Sequence, residues 1–84
     1  MEVLSDEATA DMYTYRVFWS GEDGAFVASV SEFPSLSNVA DSQKEALNGL
    51  SELVADVLAD MRESGEQPPV PLGCRTYSGK YALR

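Results

Sequence analysis

Residues 42–65, SQKEALNGLSELVADVLADMRESG, decide the fold. They read as one long amphipathic helix with both ends marked. Ser42 caps the start, and Glu45 three residues later completes a capping box, so that two otherwise orphaned N–H groups are satisfied reciprocally. Gly65 ends the helix, because it enters the left-handed conformation without the steric penalty that a Cβ brings. Between these ends Leu47, Leu50, Val54, Val57 and Met61 recur at steps of three and four, and Leu53 and Leu58 widen the stripe. Such a helix is roughly 33 Å long at 1.5 Å per residue. That spans a small domain, so it is expected to lie as a cover over a sheet. Asn48 and Gly49 weaken it locally, since glycine costs about 1 kcal/mol against alanine in a helix. A glycine in mid-helix signals either a close backbone approach or nothing.

The sheet is legible upstream. Tyr13–Trp19, YTYRVFW, alternates as a strand, with Tyr13, Tyr15, Val17 and Trp19 on one face and Thr14, Arg16 and Phe18 on the other. The first set is expected to face the helix. Phe18 then sits on the wrong face for a two-layer domain, either as a singly exposed aromatic or as the mark of a covered second face. Ser20–Gly24 is a turn with an Asp-Gly pair. Ala25–Ser31 returns, with Phe26, Ala28 and Val30 alternating against Val27 and Ser29, until Phe33-Pro34 breaks the ladder. Leu36–Ala40 is a short third strand running into the helix cap. After Gly65, three prolines in EQPPVPL forbid helix and favour an extended connection. The tail from Cys74 to Arg84 reads as two short extended pieces around Ser78-Gly79. Residues 1–12, with Glu2, Asp6, Glu7 and Asp11, read as an acidic, loosely held leader.

Composition narrows the function. Eighty-four residues make one small domain, near the size at which a single core is marginal. Self-association would add stability. The net charge of −8 opposes unaided nucleic-acid binding, which needs Lys and Arg to displace counterions, and suits a basic partner. No apolar run approaches a membrane span, and the acidic N-terminus lacks a signal segment, so a cytoplasmic location is expected. With no histidine, a serine triad and imidazole metal ligation drop out. The single Cys74 leaves no internal disulfide and no thiolate cluster. Arg75 beside it offers weak activation at most. Asp23, Glu32 and Asp41 lie at strand ends, where clustered carboxylates could hold Mg²⁺, but their spacing matches no ligand pattern and turns commonly use acids as polar punctuation.

Charge patterning says more. Glu52, Asp56 and Asp60 stand at successive i,i+4 positions, with Glu45 one heptad before and Glu63 one turn after. Like charges at that spacing cost a few tenths of a kcal/mol per pair, on the order of 0.2–0.5. Acids near the helix C-terminus also oppose the macrodipole. Lys44 and Arg62 offset little of this. The stripe is either a solvated face or a docking face for a basic protein. The end of the chain is basic instead, with Arg75, Lys80 and Arg84 and no acid after Glu66.

Taken in order, Tyr15-Arg16-Val17, Glu22-Asp23-Gly24, Phe26-Val27-Ala28, Glu32-Phe33-Pro34, Asp41-Ser42 with Glu45-Ala46-Leu47, and Gly65 followed by Pro69 and Pro71 resemble the N-terminal domain of HicB-type antitoxins. The resemblance covers about residues 13–72. Ser35 and Ala40 depart from it, standing where the family usually has glycine. The tail Tyr77–Arg84 is similar to the approach to the ribbon-helix-helix DNA-binding domain that follows in many relatives. The resemblance implies an α+β domain of order β-β-β-α-β, three antiparallel strands packed by one long helix plus a final short strand, in a degenerate ribonuclease-H-like arrangement. It implies an antitoxin that binds and blocks a basic, HicA-like, mRNA-cleaving toxin by occlusion. No catalytic residue, cofactor or metal belongs to that role, and operator DNA is bound only through the C-terminal domain.

The expected organisation is therefore a leader at residues 1–12, a toxin-neutralising domain at 13–77 and a basic tail at 78–84. Glu45, Glu52, Asp56, Asp60 and Glu63 are the candidate toxin contacts, and Arg75, Lys80 and Arg84 the DNA-proximal cations. A homo-oligomer is expected, paired through the edge of the aromatic first strand or through Tyr81–Arg84. Two other functions compete: a carboxylate-metal nuclease built on Asp23, Glu32 and Asp41, and a non-enzymatic dimerisation module.

Overall fold

The computed structural model describes residues 8–74. Three antiparallel strands, β1 (Tyr15–Ser20), β2 (Ala25–Val30) and β3 (Ser37–Ala40), form a sheet in the order β1-β2-β3. One helix, α1 (Gln43–Ser64), covers one face, giving a two-layer α+β domain. A 3₁₀ turn at Ala10–Met12 precedes the sheet, and another at Leu72–Cys74 follows the proline exit.

Local chemistry places the ends. The Ser42 hydroxyl accepts the Glu45 N–H at 3.1 Å, which is one half of the expected capping box; the Glu45 carboxylate does not return a bond to the Ser42 N–H. Gly65 adopts φ 80°, and the closing bonds Glu66 N–H to Met61 O (2.8 Å) and Gly65 N–H to Arg62 O (3.3 Å) form a Schellman closure. In the β1–β2 turn Gly24 takes φ 62°, its N–H bonds Ser20 O at 2.9 Å, and the Ser20 hydroxyl donates to Asp23 at 2.9 Å.

Register then sorts the side chains. Tyr15 opposes Val30, Val17 opposes Ala28 and Trp19 opposes Phe26, while Ala28 opposes Asn38 and Phe26 opposes Ala40. This is the helix-facing side. The core is Ala28 and Val30 from the sheet with Ala46, Leu50, Val54 and Leu58 from α1, closed by Tyr13 and Ala8.

Several expectations change here. The buried helical row is Ala46, Leu50, Val54 and Leu58, whereas Leu47, Val57 and Met61 are half-buried and Leu53 is exposed. Steps of four residues overshoot a full turn by about 40°, so this row is inclined to the helix axis. A helix laid obliquely on a sheet buries such a ridge. The obliquity shows in its end contacts: Ala46, near the start, accepts a hydrogen bond from Asn38 of β3, and Arg62, near the end, donates to the carbonyl of Ala8. Trp19 was expected under the helix. It shares the helix-facing side but is 57 % exposed, with only an edge-on contact to Phe26 at 5.0 Å.

Residues 8–12 are not a loose leader. Ala8 is 1 % exposed, and Ala10 O accepts the Tyr15 hydroxyl at 2.7 Å. Small apolar residues in an acidic segment supplied the anchor. The expected fourth strand and basic tail fall on residues 75–84, outside the described residues, and Cys74 itself lies in a 3₁₀ turn.

Gly49 resolves into the close approach. A Cβ there would lie 2.2 Å from Asn38 Nδ2, because the Asn38 amide lies against the helix backbone while bonding Ala46 O at 3.1 Å.

Candidate functional site

Helical geometry gathers the candidate toxin contacts. Glu45, Glu52, Asp56, Asp60 and Glu63 are all exposed and fall within a sector of about 80° around α1. Gly49, which contacts β3, lies at the same azimuth, so the stripe flanks the β3 side of the helix. Lys44 and Arg62 project from the other flank, about 120° round. The Arg62 guanidinium is also engaged with Ala8 O, so it is held away from the acids. None of the five carboxylates pairs with a cation among the described residues.

An apolar border runs beside the acids. As the buried ridge drifts across the helix toward Leu58, Leu53, Val57 and Met61 are left at its margin, and Leu53 is 37 % exposed. Val57 and Met61 floor a shallow open hollow of about 480 Å³, with Asp60, Glu63 and Glu66 on its rim. The surface is therefore acidic with a strip of hydrocarbon at its edge, a composition that suits a cationic protein surface.

The three strand-end carboxylates do not converge. Asp23 and Asp41 lie at the end of the sheet where β2 begins and β3 ends, whereas Glu32 follows the far end of β2. Six residues of strand, about 20 Å, separate the two ends. Among the described residues no group of three His, Cys, Asp or Glu side chains could hold a metal ion.

Glu32 has a different role, which the sequence did not suggest. Its carboxylate accepts the Thr14 N–H at 2.9 Å, the Thr14 hydroxyl at 3.0 Å and the Leu72 N–H at 2.8 Å. It therefore ties the start of β1, the end of β2 and the proline exit together. Desolvation pushes its pKa up, but the donated hydrogen bonds from Leu72 and Thr14 outweigh this and hold it below the ordinary 4.5. Tyr13 reinforces the clasp: its hydroxyl donates to Pro69 O at 2.7 Å, and its ring meets Phe33 edge-on at 5.2 Å. Pro68 and Pro71 are buried by this arrangement.

Among the described residues, no helix or strand packs on the opposite sheet face, where Phe18 and Val27 are half-buried. Phe18 opposes Val27, and Val27 opposes Val39, forming an apolar row across all three strands. Val39 is 53 % exposed, and the Arg16 guanidinium lies 4.6 Å from the Phe18 ring centroid. The out-of-phase Phe18 was the sequence signal for this row.

Of the remaining candidates, Arg75, Lys80 and Arg84 lie outside the described residues, and Cys74 is an exposed free thiol. No helix among the described residues is long and apolar enough to cross a membrane. Compared with known proteins, the chain matches no family model, and no curated protein and no solved structure matches it at a significant level.

Proposed function

We propose that this domain is the toxin-binding part of a HicB-like antitoxin, a cytoplasmic protein that silences a small, basic, mRNA-cleaving toxin by covering its RNA-binding surface. It acts by occlusion, without turnover. Operator binding rests with a C-terminal ribbon-helix-helix domain of the kind found in the family it resembles.

The observation that carries the reading is the acidic face of α1. Three i,i+4-spaced acids with two more in the same sector destabilise the isolated helix, whereas interleaved lysines would have given solubility without that cost. A toxin that holds phosphates is basic where RNA binds, and an acidic face can take the place of the RNA backbone there. The reading is also supported by the hairpin that turns through Asp23-Gly24 and by the Ser42 hydroxyl, which caps the helix by accepting the Glu45 N–H.

The test is inhibition of the small basic protein encoded by the neighbouring reading frame. The chain should suppress that protein's cleavage of messenger RNA at near-stoichiometric amounts and co-elute with it. Undiminished cleavage at a tenfold excess of the chain, or a neighbour without ribonuclease activity, would refute the proposal.

A further inference from the structure

We infer that the corner formed by Tyr13, Phe33 and Glu32 is a receptor for polyproline-II segments, filled in this structure by the chain's own Pro68–Pro71, and that it takes a Pro-x-x-Pro segment of another protein when that stretch lifts away. It makes no use of the acidic face of α1.

The occupant defines the ligand class. Proline holds φ near about −65°, and a residue before proline is pushed out of the helical region, so Gln67-Pro68-Pro69-Val70-Pro71 is driven to the extended polyproline helix with its three-residue turn. Burial follows that period. Pro68 and Pro71 are buried, Pro69 between them is half-buried, and Val70 is 38 % exposed. Two prolines one turn apart therefore face the domain, as proline-rich ligands face the aromatic grooves that recognise them.

The receptor side has the matching chemistry. A polyproline helix makes no internal hydrogen bonds, so its carbonyls are open to side-chain donors. The Tyr13 hydroxyl supplies one to Pro69 O at 2.7 Å, from a buried ring that meets Phe33 edge-on at 5.2 Å. Proline has no N–H, and the first N–H beyond Pro71, that of Leu72, is taken by the Glu32 carboxylate at 2.8 Å. A donor for a central carbonyl and an acceptor for the N–H past the last proline set the ligand's direction as well as its spacing. Tyr13 leads into β1, Glu32 and Phe33 follow β2, and Glu32 also bonds Thr14, so the corner is held by the sheet rather than by its occupant.

The occupant can leave as a unit. It joins α1 through Gly65, Glu66 and Gln67, all exposed, and neither Val70 nor Leu72 belongs to the core cluster. Segments with such attachments open below the global unfolding free energy. A short tether holds the occupant at an effective concentration on the order of 1 mM, which a rival segment must match.

NMR titration of the full chain with an acetylated, amidated peptide of sequence EQPPVPLG (residues 66–73) tests this. In a double variant, Pro68→Ser with Pro71→Ser, the peptide should shift the Thr14 and Phe33 amides with a dissociation constant below about 1 mM, and the wild type should bind about tenfold more weakly or less. Adding Tyr13→Phe to the double variant should weaken the peptide about two- to tenfold. In the wild type, the Leu72 amide should exchange at least about tenfold faster than the mid-helix Val54 amide, after correction for intrinsic rates. No binding to a folded double variant overturns the inference. So does equal binding to wild type and variant, or equal binding of a peptide with alanine for its first and third prolines. A double variant that unfolds and is not refolded by about 5 mM peptide overturns it too, as does Leu72 protection equal to that of Val54.

Discussion

Gly49 and Asn38 form a pair whose energetics can be worked out from the structure. Replacing Gly49 by alanine in a free helix would stabilise it by about 1 kcal/mol. Here the new Cβ would meet Asn38 Nδ2 at 2.2 Å and Cγ at 3.0 Å. The amide must leave, and its 3.1 Å bond to Ala46 O goes with it. That loss is worth about 0.5–1.5 kcal/mol. Forcing a half-buried side chain aside adds about 1–3 kcal/mol of overpacking. The single variant Gly49→Ala is therefore expected to be destabilised by about 0.5–3 kcal/mol despite its better helix propensity. In an Asn38→Ala background the obstacle is gone, and the same change should stabilise by about 1 kcal/mol. The coupling between the two sites should thus exceed about 1.5 kcal/mol, well outside the roughly 0.5 kcal/mol scatter of independent sites. Urea unfolding of all four proteins measures it. With an m-value of about 1 kcal/mol/M for so small a domain, the effect of Gly49→Ala should change by more than about 1.5 M in midpoint between backgrounds. If Gly49→Ala stabilises equally in both backgrounds, the close approach of helix and third strand does not exist.

Ser42→Ala removes the acceptor of the Glu45 N–H and should cost about 0.5–2 kcal/mol, read as a lower urea midpoint; an unchanged midpoint would mean that the cap contributes nothing. Glu32→Gln loses one acceptor of the clasp and should cost about 1.5–3 kcal/mol, with faster hydrogen exchange at Leu72 as the local marker. Because the folded pKa of Glu32 lies below the ordinary 4.5, the folded state binds fewer protons than the unfolded one. Its contribution is therefore full above about pH 4.5 and lost as pH falls through the lower folded value. Glu32→Gln should remove that part of the acid limb, and an identical pH profile would count against the clasp. Changing Glu52, Asp56 and Asp60 together to Gln, Asn and Asn should stabilise the helix slightly, by a few tenths of a kcal/mol per relieved pair, on the order of 0.2–0.5. The same change should slow toxin association, most clearly at low salt. Unaltered association at low salt would leave the stripe as a solvated face.

What the sequence determined by itself is what lies within a few residues along the chain. The Ser42–Glu45 cap, the Gly65 closure and the Asp23-Gly24 hairpin depend on contacts three to five residues apart, and each was legible because residue type alone selects that backbone geometry. Strand alternation likewise separated Tyr15 and Val17 from Arg16 and Phe18, since successive side chains must point to opposite faces. The acidic sector follows from helical periodicity in the same way. Tertiary structure decided everything that depends on the angle at which α1 crosses the sheet. That angle buried Ala46 and Leu58, left Leu53 and Trp19 exposed, and set Gly49 against Asn38. It also decided which distant segments meet. Glu32 reaches Leu72 across 40 residues, Arg62 reaches Ala8 across 54, and Tyr13 reaches Pro69 across 56. No local pattern encodes such meetings, because each partner is an ordinary polar residue until the packed layers bring a particular carbonyl or N–H within 3 Å of it.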